Sequence, residues 1–155
     1  MTDSPPVTDR DVYITRAFAA PRAVVWRFFT DPALLATWFG PTGFSVPVDS
    51  VTVEPRVGGA WNLTMVGESG EQAPITGILT AVEPPEYLEV RLGAQTLEGE
   101  LEDIVLRIRL HDHGDRTRVT LHQGPFPADE MRDMTADGWE QSFVKLDREL
   151  EAADR

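Results

Sequence analysis

The sequence predicts an α+β fold in which an antiparallel sheet covers one long C-terminal helix. Three observations carry this reading. Trp139, Phe143, Leu146 and Leu150 follow one another at spacings of four, three and four, which is one face of an α-helix. From Phe44 to Leu121 the chain changes to short segments alternating apolar and polar residues between glycine, proline and aspartate turns, the pattern of strands. Two of those turns join segments whose apolar positions oppose each other, as a half-buried antiparallel pair requires.

Taken in order, residues 1–10 are polar and proline-containing and are expected to form a flexible arm ahead of one domain over residues 11–153. Val12, Ile14 and Arg16 alternate with Tyr13, Thr15 and Ala17 before Phe18, a first strand. Pro21 suits the first turn of a helix, where its missing N–H costs nothing. Val24, Val25, Phe28 and Phe29 would form that helix's buried face. Asp31-Pro32 stops it and starts a second short helix with Leu34, Leu35, Trp38 and Phe39 apolar, which Gly40-Pro41 ends.

Strands then follow: Val51 and Val53 before the glycine turn 55–59, Trp61, Leu63 and Met65 alternating with Asn62 and Thr64, Ile75–Val82, Tyr87–Leu92, Glu100–His111 and Arg116–Gln123. About six or seven strands result. The final helix is expected over Asp129–Ala153, ~38 Å long at ~1.5 Å per residue. Met131 and Met134 extend its stripe backward, and Asp137, Glu140, Gln141, Lys145, Asp147, Arg148 and Glu149 form a solvated face.

The hairpin registers can be set from the turns. A four-residue turn at 112–115 pairs His111 with Arg116, so Leu110 opposes Thr117, Ile108 opposes Val119 and Leu106 opposes Leu121. Arg107 and Arg109 then share the other face with Arg118 and Thr120. The turn at 83–86 sets Leu79 opposite Val90 and Ala81 opposite Leu88.

The chain has 155 residues, a net charge of −12 and no cysteine. Disulfides, thiolate catalysis and cysteine metal sites are excluded. So acidic a surface repels phosphate backbones and anionic lipid heads, so nucleic acid is not an expected partner. No apolar run approaches the ~20 residues of a membrane span, and no signal-peptide core opens the chain. A cytoplasmic protein without integral membrane contact is expected, and the sequence leaves a homodimer open.

Chemistry-bearing residues are few. His111 and His113 form an H-x-H, and the register above sets His122 opposite Val105, ~20 Å along the strand from His111. That is too far to share an ion, so solvated hairpin histidines and no metal are expected. No G-x-S-x-G, phosphate-loop or dinucleotide motif occurs, so no cofactor is expected. Glu98, Glu100 and Glu102 share strand parity with Ile104, Leu106 and Ile108. In an unbroken strand they would face the concave side, where burial raises a carboxylate pKa and suits it to proton transfer. If Gly99 marks a bulge or a strand start, they lie at the rim in water. Asp103, of opposite parity, is expected in solvent. Trp38, Trp61 and Trp139 could each offer an indole N–H to a ligand while the ring packs. Gln123, opposite Ile104 on the inward face, is the best candidate for a polar group there.

Five segments resemble a known family. They are Pro21-Arg22-Ala23-Val24-Val25-Trp26, Leu35-Ala36-Thr37-Trp38-Phe39-Gly40-Pro41, Arg56-Val57-Gly58-Gly59-Ala60-Trp61, Glu83-Pro84-Pro85-Glu86-Tyr87-Leu88 and Gly138-Trp139-Glu140-Gln141-Ser142-Phe143. In this order, from about Asp11 to Leu150, they resemble START-like (SRPBCC) domains, and more narrowly the homologues of the activator of the heat-shock chaperone (Hsp-ninety) ATPase. The resemblance implies a helix-grip fold of the birch-pollen-allergen type. A strongly curved sheet would wrap the C-terminal helix and leave an apolar cavity between them.

That fold and the strand parities together give an expected cavity lining: Trp61, Leu63, Leu79, Val90, Leu106, Ile108, Leu121, Gln123, Trp139 and Phe143. The resemblance alone sets Trp38 or Phe39 beside an entrance. The leading functional expectation is a module that binds a small apolar or amphipathic molecule. The rivals are a cyclase or aromatase-type enzyme using one of the glutamates, and a co-chaperone-like interaction domain. The eukaryotic co-chaperone engages its chaperone through an additional N-terminal domain for which ten residues leave no room, so a chaperone is not the leading partner.

Overall fold

A computed structural model describes residues 6–96 and 99–153, with the backbone alone for residues 94–96 and 99–103. Strand β1 (Val12–Phe18) leads into α1 (Arg22–Thr30) and α2 (Pro32–Leu35). The strands β2 (Phe44–Ser45), β3 (Thr52–Val53), β4 (Trp61–Gly67), β5 (Gln72–Glu83), β6 (Tyr87–Thr96), β7 (Gly99–His113) and β8 (Arg116–Gly124) follow, and α3 (Asp129–Ala153) closes the described chain. The sheet is antiparallel in the order β1-β8-β7-β6-β5-β4-β2, with β3 paired to β4 beside that path.

Local chemistry accounts for the helical boundaries. Pro21 precedes the first turn of α1 in an extended conformation. The Asp31 carboxylate accepts the Ala33 N–H at 3.0 Å and caps α2, with Pro32 at its first position. Trp26 joins Val25, Phe28 and Phe29 on the buried side of α1, while Val24 is only half-buried.

A long sheet and one helix would touch along a narrow strip if the sheet were flat. Six strand spacings of ~4.8 Å make a flat path ~29 Å wide, yet two turns of α3 reach both of its edges. Glu140 and Asp147 pair with Arg16 on β1. Gln141 accepts from the Thr42 N–H and Lys145 donates to the Phe44 carbonyl beside and on β2. The sheet is therefore curled around the helix, as the helix-grip expectation required. Register shifts at Leu79/Ala81 and Leu92/Ala94 accompany the curl, since bulges bend and twist the strand that carries them.

Both hairpin registers needed correction, the first by two residues, which keeps its faces, and the second by one residue beyond Leu79, which moves Ala81 to the face of Glu89. The turn after β7 is shorter than expected: His113 pairs with Arg116, Leu110 with Val119, Ile108 with Leu121 and Leu106 with Gln123. Gly114 supplies the positive φ of +76° that a two-residue loop needs, and the Asp112 carboxylate accepts the Gly114 N–H at 2.9 Å. The shift is two residues, so the apolar face stays inward. In the other hairpin Leu79 does oppose Val90, but the bulge leaves Thr80 unpaired, and Ala81 meets Glu89 while Val82 meets Leu88.

The core lies between the concave sheet face and α3. Trp139, Ser142, Phe143, Leu146 and Leu150 are the buried residues of α3. Met134 is 74 % exposed and does not belong to the stripe, whereas Met131 packs against the core. Lys145, expected in solvent, is half-buried, and desolvation lowers its pKa.

Candidate functional site

Every apolar residue expected to line the sheet–helix interior lies in one buried cluster: Trp61, Leu63, Leu79, Val90, Leu106, Ile108, Leu121, Trp139 and Phe143, together with Trp38 and Phe39. Strand parity brings the sheet residues there, because alternate side chains of a strand share a face. Trp38 and Phe39, expected beside an entrance, are 0 % and 7 % exposed.

Aromatic rings dominate the centre. Trp38 lies 5.0 Å from Phe29, 6.1 Å from Phe143 and 6.3 Å from Trp139, centroid to centroid. Phe39 stands edge-on to Trp61 at 5.7 Å and to Trp139 at 5.3 Å. These separations suit edge-to-face and offset packing of ring quadrupoles.

The indole N–H groups, which the sequence leaves open either to a ligand or to plain core packing, bond to the protein itself. Trp38 Nε1 donates to the Phe28 carbonyl at 2.9 Å, and Trp61 Nε1 to the Phe29 carbonyl at 3.1 Å. A buried indole N–H left unpaired costs about 1–3 kcal/mol, and the C-terminal carbonyls of α1 have no partner within their own helix. Each group completes the other. Trp139 Nε1 donates to Gln123 Oε1 at 2.7 Å.

Gln123 faces inward as predicted and is 7 % exposed, but its partner on β7 is Leu106 instead of Ile104. Its Nε2 makes no hydrogen bond with a described residue, so the pair presents one oriented, unused amide donor beside the aromatic cluster. Ser142 was not singled out from the sequence. Its hydroxyl accepts the Gly40 N–H at 3.1 Å and donates to the Gly138 carbonyl at 2.8 Å. Gly40, at φ +104°, turns the chain so that its N–H can reach the helix.

The glutamate expectation falls largely outside the described residues. Glu98 is not described, and the side chains of Glu100, Glu102 and Asp103 are not described either. Gly99 opens β7, with Gln95 opposite Glu100.

The histidines separate. His113 ends β7 in solvent. His122 lies opposite Arg107, four residues along from His111, so ~13 Å replaces the expected ~20 Å. It is not solvated: its Nε2 bonds Asp11 Oδ2 at 2.9 Å, and both side chains are buried. Among the described residues no three acid or histidine side chains come together as a metal site.

The outer sheet face holds polar networks that sequence reading touched only by parity. Tyr87 donates to Glu89 at 2.7 Å, Thr80 donates to the other Glu89 oxygen at 2.7 Å, and Arg107 stands 3.6 Å away. Burial alone would raise the Glu89 pKa, but these hydrogen bonds and the arginine hold it low. Burial, then the bond to Glu89, pushes the Tyr87 phenol well above its ordinary value. Among the described residues no helix is long and apolar enough to cross a membrane.

Comparison with known proteins agrees with this architecture. The sequence profile described as "Activator of Hsp90 ATPase homolog 1-like protein" matches residues 19–151. Among solved structures, an AHSA1 protein of Silicibacter pomeroyi is 27 % identical with a TM-score of 0.82, covering 92 % of this chain and 99 % of that one. A protein from Arthrobacter aurescens is 25 % identical with a TM-score of 0.80, covering 96 % and 90 %. A Mycobacterium smegmatis protein, 23 % identical over 98 % of both chains with a TM-score of 0.77, shares the fold. No curated protein matches the chain. A match over most of the sequence, together with a curled antiparallel sheet gripping a C-terminal helix, establishes that this chain belongs to the activator of Hsp90 ATPase homolog 1-like family, within the START-like superfamily.

Proposed function

We propose that the protein binds a small apolar or amphipathic molecule between the concave sheet face and α3. The observation that carries this reading is the Trp139–Gln123 pair: an amide held by an indole, with its own N–H₂ unused, against apolar and aromatic walls. Ligand sites commonly combine apolar walls with a few placed polar groups. The donor suits a carbonyl, carboxyl or hydroxyl oxygen, and the rings suit the hydrocarbon attached to it.

Access at the N-terminal half of α3 is consistent with its burial. All five buried residues of the helix lie from Trp139 onward, and the preceding turns touch the core through the half-buried Met131 and Ala136. Methionine, flexible and polarizable, adapts to an incoming chain. Displacing these turns exposes little apolar surface, so opening here costs less than opening at Phe143 or Leu146.

Titration with dodecanoate tests the reading. Tryptophan fluorescence should quench saturably, and the melting temperature should rise with ligand concentration, because a ligand that binds only the folded state stabilises it. Gln123→Leu should weaken binding, and Leu121→Trp should abolish it while the fold persists. If no apolar ligand moves the melt and Leu121→Trp unfolds the protein, the interior is a packed core and the reading fails. A change in a chaperone's ATPase rate that survives Leu121→Trp would favour docking over ligand holding.

A further inference from the structure

The outer face of the sheet, which no described helix covers, carries a second concentration of chemistry. β7 sends Arg107, Arg109 and His111 outward, and their partners on β8 are His122, Thr120 and Arg118. A hollow of about 440 Å³ opens over them. That size falls within the range of small-molecule sites. Val7 and Tyr13 form part of its wall and are 49 % and 54 % exposed, so its polar floor has apolar flanks.

Charge on this face is unevenly matched. Glu89 is occupied by Tyr87, Thr80 and Arg107, and Asp11 by His122 and the Thr8 N–H. Arg109 and Arg118 make no ion pair with any described residue. The Arg109 guanidinium lies 4.4 Å over the Tyr87 ring, a stacking that holds its plane while leaving the N–H edge for another partner. Thr120 adds a hydroxyl, 3.2 Å from His111 Nε2. The His111 pKa is lowered by burial and then by Arg118, Arg109 and His113, the response of an imidazole in a positive field without a counter-ion.

We propose that this hollow binds a small organic anion, its phosphate or carboxylate oxygens held by Arg109 and Arg118 and its apolar part lying on Tyr13 and Val7. Guanidinium groups match both oxyanions through paired N–H donors. The net charge of −12 does not oppose this at contact range, because exposed charges beyond about 8 Å are screened at physiological salt. The site is separate from the interior, on the opposite face of the sheet.

Phenyl phosphate and benzoate, with phenol as the neutral control, test the proposal by NMR titration of the full chain. Saturable shifts of the Tyr13, Arg109 and Arg118 amides are expected with the anions and not with phenol. The tighter anion identifies the head group. Arg118→Gln, an exposed position, should weaken binding by roughly tenfold with the melt unchanged, as loss of a charge-assisted hydrogen bond predicts. Tyr13→Ala should weaken phenyl phosphate and leave inorganic phosphate unaffected. The proposal is overturned if neither anion saturates these amides by about 10 mM, a bound on affinity near −3 kcal/mol. It is equally overturned if Arg118→Gln and Tyr13→Ala both bind like the parent, or if the shifts fall on α3 and the concave face.

Discussion

Replacing Phe143 by alanine removes a ring with no solvent exposure from the centre of the helix–sheet contact. Such truncations cost about 3–5 kcal/mol, the spread depending on how far the surroundings collapse into the hole. Collapse is restricted here. Trp38, centred 6.1 Å from Phe143, is tethered to the Phe28 carbonyl, and Trp139, at 5.6 Å, is tethered to Gln123. Neither indole can move into the space without breaking a buried hydrogen bond. The edge-on contact of Phe143 with Phe18 at 5.4 Å is also lost. The expected loss is therefore in the upper half of the range, about 4–5 kcal/mol. With a urea slope of about 2 kcal/mol per molar, the midpoint should fall by about 2 M. Val144→Ala, one residue on and 41 % exposed, should cost under about 0.5 kcal/mol. Equal losses in the two melts would show that the stripe is rotated and would refute the packing argument.

Asp11→Asn should cost about 1–2 kcal/mol at neutral pH through the buried bond to His122. Burial raises the Asp11 pKa, but the bonds from His122 and Thr8 outweigh it and leave it lowered; a lowered carboxylate stabilises above its unfolded pKa of about 4 and loses that contribution below. The difference between parent and variant should therefore shrink as pH falls from about 4, and a gap that persists in stronger acid would count against the pair. Lys145→Ala should change stability by under about 0.5 kcal/mol, because the desolvation that lowers its pKa offsets its bond to Phe44; urea melts read this. Cross-strand NMR contacts should join residues 108 and 121 and residues 79 and 90, and contacts between 108 and 119 would restore the longer turn.

Most of the fold was legible because periodicity and burial agree. The bounds of α3 and the inward parity of Leu106, Ile108 and Leu121 follow from spacing alone, since one buried face tolerates only one phase. The turn at Gly114 was misread because parity cannot distinguish registers that differ by two residues. The Thr80 bulge was missed for a related reason: one extra residue leaves no mark on composition. Asp11–His122 and the tethered indoles lay beyond reach, because each joins residues brought together only by tertiary structure. The arginine row on the outer face could be seen from parity, but the hollow above it depends on where Val7 and Tyr13 fall.

The two-edged grip of α3 also sets an order of events during synthesis. β1 cannot pair until β8 exists, since Val12 meets Gln123, and Arg16 meets Asp147 across a separation of 131 residues. The hairpins from β4 to β8 can zip as they emerge, but closure waits for the helix. Until then the nascent chain carries an uncovered apolar face and unpaired strand edges, the features that invite misassociation. Folding dominated by such distant contacts is slow, so the strand that emerges first waits longest for its partner.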